Sequence, residues 1–175
     1  MMKFKSRLDK EEHSEIYHWF FPVSNEIAEQ FIDGTDRRVV CIVNSTVKYH
    51  CAIHSFGPNG YRIMLNRERC KKLGLVRGEE IQVELEKDRS EYGVPIGEEL
   101  REVLDQNLDA DKLFHSFTKG MQRTLIYWVN NVKNPDIRIR RALVMTDHIV
   151  TQNGKPDYKL LNVEIKAANQ AAKLG

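Results

Sequence analysis

The sequence predicts an α+β protein that is mainly β: a small β-barrel built from two strand–helix–strand units, followed by an α-helical C-terminal extension. Three observations lead to this fold class. Residues 17–44 and 61–86 share one order of elements, in which an aromatic-led strand precedes a short capped helix, a glycine and a second strand. Residues 37–54 are rich in β-branched and aromatic residues, as expected of a β-hairpin. From residue 94 onward the apolar residues recur at helical spacing.

The first strand–helix–strand unit starts with the aromatic run at residues 17–21. Ser24 is a typical N-cap residue for the short helix that follows, and Gly34 is expected to end that helix. The next strand leads to Asn44 and Ser45, which predict a two-residue hairpin turn because Asn tolerates a positive φ. Such a turn would place one apolar set on a single face of the hairpin: Val40, Ile42, Val47, Tyr49, Cys51 and Ile53.

The second unit repeats this order at low sequence identity. Residues 61–65 predict a strand, Asn66 caps the following helix, and Gly74 ends it. The strand at residues 81–86 alternates strictly, so its apolar residues should point inward: Ile81, Val83 and Leu85. A single unit cannot bury its apolar face alone. We therefore expect the two units to close a barrel around a shared interior.

The C-terminal extension predicts three amphipathic helices. The first contains "IGEELREVLDQN", the second follows Ser116 or Thr118, and the third starts with Asn134 as N-cap and Pro135 at its first position. The third helix has this expected buried line: Ile139, Ala142, Leu143, Thr146, Ile149 and Val150. We expect a barrel domain at residues 1–93, a helical extension at 94–151, and a tail at 152–175 that is partly docked or disordered.

Several stretches, taken in order, resemble one known family. They include "HWFFPVS", the hairpin through "VNST", "YRIMLNRERCKKLGLVRGEEIQVELE" and "VPIGEEL". Over about residues 3–150 the chain resembles the uncharacterised barrel domain that pairs with YdeI/OmpD-associated (bacteriocin-protection) tails, and the segment with Trp128, Arg138 and Arg141 resembles such a tail. The resemblance implies a double-split β-barrel, an architecture also used by AbrB/MazE-like transcription factors. It implies no established activity.

Composition narrows the class of protein. The chain has 175 residues, 41% of them hydrophobic and 30% charged, which suits a soluble protein with a core. No apolar run approaches the ~18 residues of a membrane helix, and no apolar run follows the basic residues at the start, so neither a membrane partner nor a signal peptide is expected. Three cysteines without a CxxC motif favour reduced thiols and a cytoplasmic location.

Charge is distributed unevenly, although the formal net charge is only +2. Between residues 119 and 141 there are six basic residues and one acid, Asp136. This run could bind phosphate or an acidic protein surface, or it could be a solvated helix face. Arg138 and Arg141 could hold an anionic ligand, or they could form salt bridges with the acidic strand of the barrel. Trp128 could bind a ligand, although an aromatic residue in a helical apolar stripe usually packs in the core.

These residues define the candidate site. We expect no catalytic residue, cofactor or metal ion, since no catalytic or nucleotide-binding motif is present and His50, His54 and Cys41 have no fixed ligand spacing. The candidate ligand- or partner-binding residues are Arg123, Trp128, Arg138, Arg141, His18, His50 and Arg62.

Three functions fit the sequence. The first is a cytoplasmic, non-enzymatic binding module, monomeric or homodimeric, that contacts a protein or a small anionic ligand. The second is an AbrB-like nucleic-acid-binding protein, although acids follow closely on the basic residues of the barrel segment. The third is an unrecognised enzyme, which would need a pocket with convergent polar groups near His18, His50 and Arg62.

Overall fold

A computed structural model of the chain describes residues 1–11 and 19–174 and divides into two compact units, Met1–Arg89 and Ser90–Gly175. Helices account for 47% of the described residues and strands for 25%. Antiparallel sheets make up the first unit and helices the second, which confirms the α+β class. No helix within the described part of the chain combines the length and the apolar character needed to cross a membrane.

The described residues of the first unit form two four-stranded antiparallel sheets. The first sheet has the strand order β1-β8-β4-β5, formed by β1 (Met2–Arg7), β8 (Glu80–Lys87), β4 (Arg38–Val43) and β5 (Val47–Ala52). The second sheet has the order β2-β3-β7-β6, formed by β2 (Asp9–Lys10), β3 (Trp19–Val23), β7 (Tyr61–Leu65) and β6 (His54–Ser55). The described residues of this unit also form two short α-helices, α1 (Asn25–Glu29) and α2 (Arg67–Leu73), and a 3-10 turn at Gly57–Asn59.

The expected repeat is present in the strand pairing. β3–α1–β4 and β7–α2–β8 follow the same order, and equivalent strands pair with each other, β3 with β7 and β4 with β8. Ser24 caps α1 through its hydroxyl oxygen, and Asn66 caps α2 in the same way. Gly74 adopts φ 65° at the end of α2, whereas α1 ends at Gln30, before Gly34. By register the equivalent of Tyr61 is Trp19, and the first residues of the segment 17–44 lie outside the described residues.

Each repeat also includes two strands that precede the segment in which the sequence pattern recurs. β1 continues into β2 past Leu8, and β5 continues into β6 past Ile53, so each pair of strands passes from one sheet to the other. Leu8 and Ile53 are both fully buried. The Leu8 N–H donates to the carbonyl oxygen of Glu79, just before β8, and the Ile53 N–H donates to that of Arg37, just before β4. The first repeat is therefore β1–β2–β3–α1–β4 and the second is β5–β6–β7–α2–β8, with the first two strands of each running on without a loop.

One core holds both sheets. Its side chains alternate along the strands, and the fully buried ones include Phe21, Val39, Cys41, Val43, Ile63, Leu65, Ile81 and Leu85. Since both repeats contribute side chains to this one cluster, neither can bury its apolar face without the other.

The hairpin turn differs from the expected one by a residue. Val43 pairs with Val47 rather than Thr46, so the turn contains three residues and the core face of β4 carries Val39, Cys41 and Val43. The cause is Asn44, whose backbone N–H donates to Gln82 O and whose side-chain Oδ1 accepts the Gln82 N–H, both at 2.8 Å. These bonds extend the β4–β8 ladder past the end of β4, and Asn44 and Ser45 both adopt positive φ beyond it.

The second unit consists of five helices: α3 (Glu98–Gln106), α4 (Leu108–Ser116), α5 (Lys119–Asn130), α6 (Pro135–Thr151) and α7 (Tyr158–Leu174). Thr118 caps α5, and Asn134 with Pro135 begins α6 as expected. α4 was not expected, although Asn107 marks its start by capping it through the side chain. The tail expected at residues 152–175 contains α7, which lies against α6.

α6 is rotated relative to the predicted buried line. Ala142, Thr146 and Ile149 are buried as expected, but Ile139, Leu143 and Val150 are 42%, 49% and 39% exposed. Met145 and His148 are buried instead. The periodicity could not indicate this rotation because it treats a histidine as polar, whereas His148 satisfies both ring nitrogens by hydrogen bonds inside the unit.

Candidate functional site

The predicted basic residues of the helices have partners within the second unit. Arg123 donates to the Tyr92 carbonyl oxygen at 3.2 Å, and Arg138 forms a 2.7 Å ion pair with Glu99 of α3. Arg141 donates to the carbonyl oxygen of Trp128 and stacks on its ring, 5.1 Å from the centroid. Burial lowers the pKa of Arg141 below its ordinary value. Arg138 and Arg141 therefore connect helices to one another, and Arg123 connects α5 to the segment before α3.

The predicted residues of the first unit are on different sheets. The His50 Nδ1 lies 2.8 Å from a buried carboxylate oxygen of Asp88, next to the first sheet. Arg62 is on β7 in the second sheet and forms a 3.2 Å ion pair with Glu11. His18 lies outside the described residues. Of these residues, Arg62 leads to a site.

Arg62 belongs to an aromatic cluster on the outward face of the second sheet. Phe21 and Val23 of β3 point into the core, so Phe20 and Pro22 point away from it. The Phe20 and Phe56 rings meet edge to face at 5.0 Å between centroids. The Arg62 guanidinium carbon lies 4.6 Å from the Phe56 centroid and 5.3 Å from the Phe20 centroid. Arginine is held there by stacking as well as by charge.

A cavity of about 380 Å³ opens beside this cluster. Its apolar wall includes Leu8, Phe20, Pro22 and Phe56. Its polar wall comes from Arg7, Asp9 and Arg77, with Gly78 between the two. Arg77 is positioned by a 2.7 Å hydrogen bond from its Nε to Asp9 Oδ1. The cavity volume is within the range of small-molecule sites, roughly 300–1,000 Å³.

The electrostatics of this region favour anions. Two arginines and one aspartate line the cavity, which leaves a net positive wall. The backbone N–H of Lys10 and the Arg77 side chain lower the pKa of Asp9, although burial opposes them, so Asp9 is ionised at neutral pH. On the neighbouring strand β6, burial lowers the pKa of His54, and Arg62, Arg38 and Arg37 lower it further. Arginines therefore also lie near β6, at the edge of the sheet opposite β2.

Sequence reasoning found Arg62 but missed the other members of the site. Phe20 is one of several aromatic residues in a run and Phe56 lies in a turn, so neither position indicates a binding role. Arg7 and Arg77 are far apart in sequence, so nothing local places them at one site. The alternation of β3 could have indicated Phe20, because its neighbours are core residues. Within residues 1–11 and 19–174, no three His, Cys, Asp or Glu side chains are close enough to share a metal ion.

Comparison with known proteins adds family matches but no relatives. No curated protein and no solved structure matches the chain. Residues 4–85, within the first unit, match the model of a domain of unknown function, DUF1905. Residues 94–150, within the second unit, match the model described as bacteriocin-protection, YdeI or OmpD-associated. The two matches support the family resemblance drawn from the sequence, a DUF1905 domain followed by a YdeI/OmpD-associated segment.

Proposed function

We propose that this protein is a non-enzymatic binding module whose first unit holds a small anionic ligand with a planar apolar body. The observation that carries the proposal is the cavity, where an edge-to-face pair of phenylalanine rings adjoins a wall with two arginines. Aromatic rings bind a planar apolar body, and guanidinium groups bind carboxylate or phosphate in bidentate geometry. The cavity volume suits a small molecule rather than a protein segment.

The cavity lining supports binding rather than catalysis. Among the described residues that line it there is no Ser, Thr, Cys, His or Lys to act as nucleophile or base. Its single carboxylate, Asp9, is bonded to Arg77 and has a lowered pKa, which makes it a poor general acid at neutral pH. The third alternative, an enzyme, therefore has little support from this site.

We also infer that the first unit is a double-split β-barrel of AbrB-like type. Support comes from the pairing of equivalent strands in both sheets and from the strands that pass between the sheets at Leu8 and Ile53. A cytoplasmic location is likewise our proposal, and the three unpaired cysteines support it.

Nucleic-acid binding is the second candidate function. The cationic group around His54, formed by Arg37, Arg38 and Arg62, favours it. On the first sheet, however, Lys3 and Lys5 pair with glutamates of β8 at 3.1 and 2.7 Å, which reduces the field available to a phosphate backbone. This function predicts a mobility shift of duplex DNA at low salt that weakens steeply as salt is added.

The test of the ligand proposal is a fragment panel of aromatic carboxylates with their neutral amides, monitored by amide chemical shifts of the full chain. We expect the carboxylates to shift residues around Phe20, Phe56 and Arg77, and the amides to shift them far less. Replacing Arg7 and Arg77 by Gln should weaken binding roughly tenfold or more, because each charge-assisted bond contributes about 1.5–3 kcal/mol.

The matched control is Lys48→Gln, which removes one positive charge from an exposed position on β5 in the other sheet. It should leave carboxylate binding unchanged. Equal binding of carboxylates and amides, or shifts confined to the second unit, would refute the proposal.

A further inference from the structure

α7 rests on the second unit through a small apolar contact. Leu161 is 0% exposed and Ile165 is 5% exposed, and among the described residues of this 17-residue helix these two alone are buried. They are four residues apart and so lie on one face. Docking of a helix depends mainly on its buried apolar face, and in α7 two side chains make up that face.

Side chains of α5 and α6 also form specific hydrogen bonds with α7. Trp128 Nε1 donates to Asn162 Oδ1 at 3.3 Å, and Arg140 donates to Asn169 Oδ1 at 2.8 Å. The third contact joins His148 to Glu164. The surface beneath α7 therefore presents three donors, from α5 and α6, to amide and carboxylate oxygens of α7.

His148 is the most constrained of the three. Its side chain is 0% exposed, its Nε2 accepts the Asp157 backbone N–H at 2.9 Å, and its Nδ1 lies 2.7 Å from Glu164 Oε2. Because Nε2 is an acceptor, Nδ1 carries the proton and donates to Glu164. A buried imidazole with a fixed tautomer discriminates among partners, since any helix that lacks the carboxylate would leave Nδ1 unsatisfied.

α7 is also apolar on its outward side. Val163 is 61% exposed and Leu160 is 37% exposed, although an apolar stripe on a surface helix normally faces a core. The matched YdeI/OmpD-associated segment ends at residue 150, so α7 lies wholly beyond it. Part of the predicted partner surface, at Trp128, is in contact with α7.

We propose that the surface formed by Trp128, Arg140 and His148 is a helix-binding site for a partner protein, and that α7 occupies it in the free chain. The site takes an amphipathic helix with two aliphatic residues four apart, a carboxylate between them, and an amide after the first. α7 shows this pattern at Leu161, Asn162, Glu164 and Ile165. The partner displaces α7 and makes the same contacts. This site is separate from the proposed small-ligand cavity, because all of its residues belong to the second unit.

The test uses the full chain and a fluorescein-labelled synthetic peptide of residues 156–174, with binding measured by anisotropy. In the wild-type chain α7 competes, so binding is weak. Leu161→Asp in the chain should release α7 and tighten peptide binding about tenfold or more, since apparent affinity rises with the fraction of open sites. A peptide that itself carries Leu161→Asp should not bind.

Val163→Asp is the matched control, because it places the same charge on the outward face of α7. It should leave peptide binding at the wild-type level. A covalent version keeps the test valid if Leu161→Asp unfolds the unit: Arg140→Cys and Asn169→Cys are joined by a reducible bismaleimide crosslinker, because the long Arg140 side chain spans a gap too wide for a direct disulfide. The crosslinked chain should not bind peptide, and reduction of the linker should restore binding.

Two results would overturn the proposal. One is a peptide that binds the locked chain as well as the reduced one, which would place its site elsewhere. The other is a wild-type chain that dimerises in solution and loses the dimer when the lock forms, because the occupant would then be a second copy of this chain rather than a separate partner.

Discussion

Replacing Leu8 by Ala tests whether the two strand bends carry equivalent parts of the core. Leu8 is 1% exposed at the bend between β1 and β2. Leu→Ala removes three carbons, about 0.8 kcal/mol each for transfer to water, so the transfer term is about 2.4 kcal/mol. The cavity left behind brings the total to about 3–4 kcal/mol, within the range of roughly 2–5 kcal/mol found for such changes. Ile53→Ala, at the equivalent bend, should cost about the same.

Urea unfolding measures both losses. Trp19 packs against the core of the first unit, and Trp128→Phe removes the other tryptophan, so fluorescence then reports on the first unit. We expect lower midpoints with little change in the denaturant slope. Val76→Ala is the control, since Val76 is largely exposed and its loss should change the free energy of unfolding by less than about 0.5 kcal/mol. A loss below about 1 kcal/mol at one bend together with a loss above about 3 kcal/mol at the other would refute the equivalence.

Three further predictions follow from local contacts. Hydrogen bonds from the Lys87 side chain and the Arg38 backbone N–H lower the pKa of Asp36 in the folded protein. The ionised Asp36 therefore stabilises the fold above about pH 3.9, the pKa in the unfolded chain, and this stabilisation is lost as the pH falls through the lower pKa of the folded state. Asp36→Asn should flatten the fall in the urea midpoint between about pH 4 and pH 2. Gly97→Ala places a Cβ 2.8 Å from Asn130 Oδ1 and 2.9 Å from Glu99 Oε2. Both are ends of side chains that can shift, so the change should cost about 0.5–1.5 kcal/mol by calorimetry, part of which Asn130→Ala recovers. Asn44→Ala loses both the bond to β8 and a tolerated φ of 49°, so its unfolding midpoint should fall by the equivalent of about 1–2 kcal/mol, and by less in Asn44→Gly.

The order of elements could be predicted because it depends on local chemistry. Ser24, Asn66, Thr118 and Asn134 cap the helices for which they were expected, and Asn134 is followed by proline at the first position. Alternation along β8 indicated its core face, since polar and apolar residues take turns there. Each of these patterns depends only on residues that are close together in sequence.

The errors arose where distant segments decide the local structure. The register of β4 depends on Asn44 bonding to β8, far away in sequence, so the hairpin alone could not determine it. β1 and β2 join the repeat through pairing with the other half, which no local pattern in residues 2–10 indicates. The cavity needs Arg7 and Arg77 together, and only the closed fold brings them to one place.

The pairing of β3 with β7 has a consequence for the residues at its centre. Phe20 and Arg62 occupy equivalent positions in the two repeats, yet they differ in chemistry and stack on each other. Two identical half-length chains related by a two-fold axis would have to place Phe opposite Phe or Arg opposite Arg there. In a single chain the two repeats can differ in sequence, so the Phe20 ring and the Arg62 guanidinium can stack on each other near the local two-fold axis.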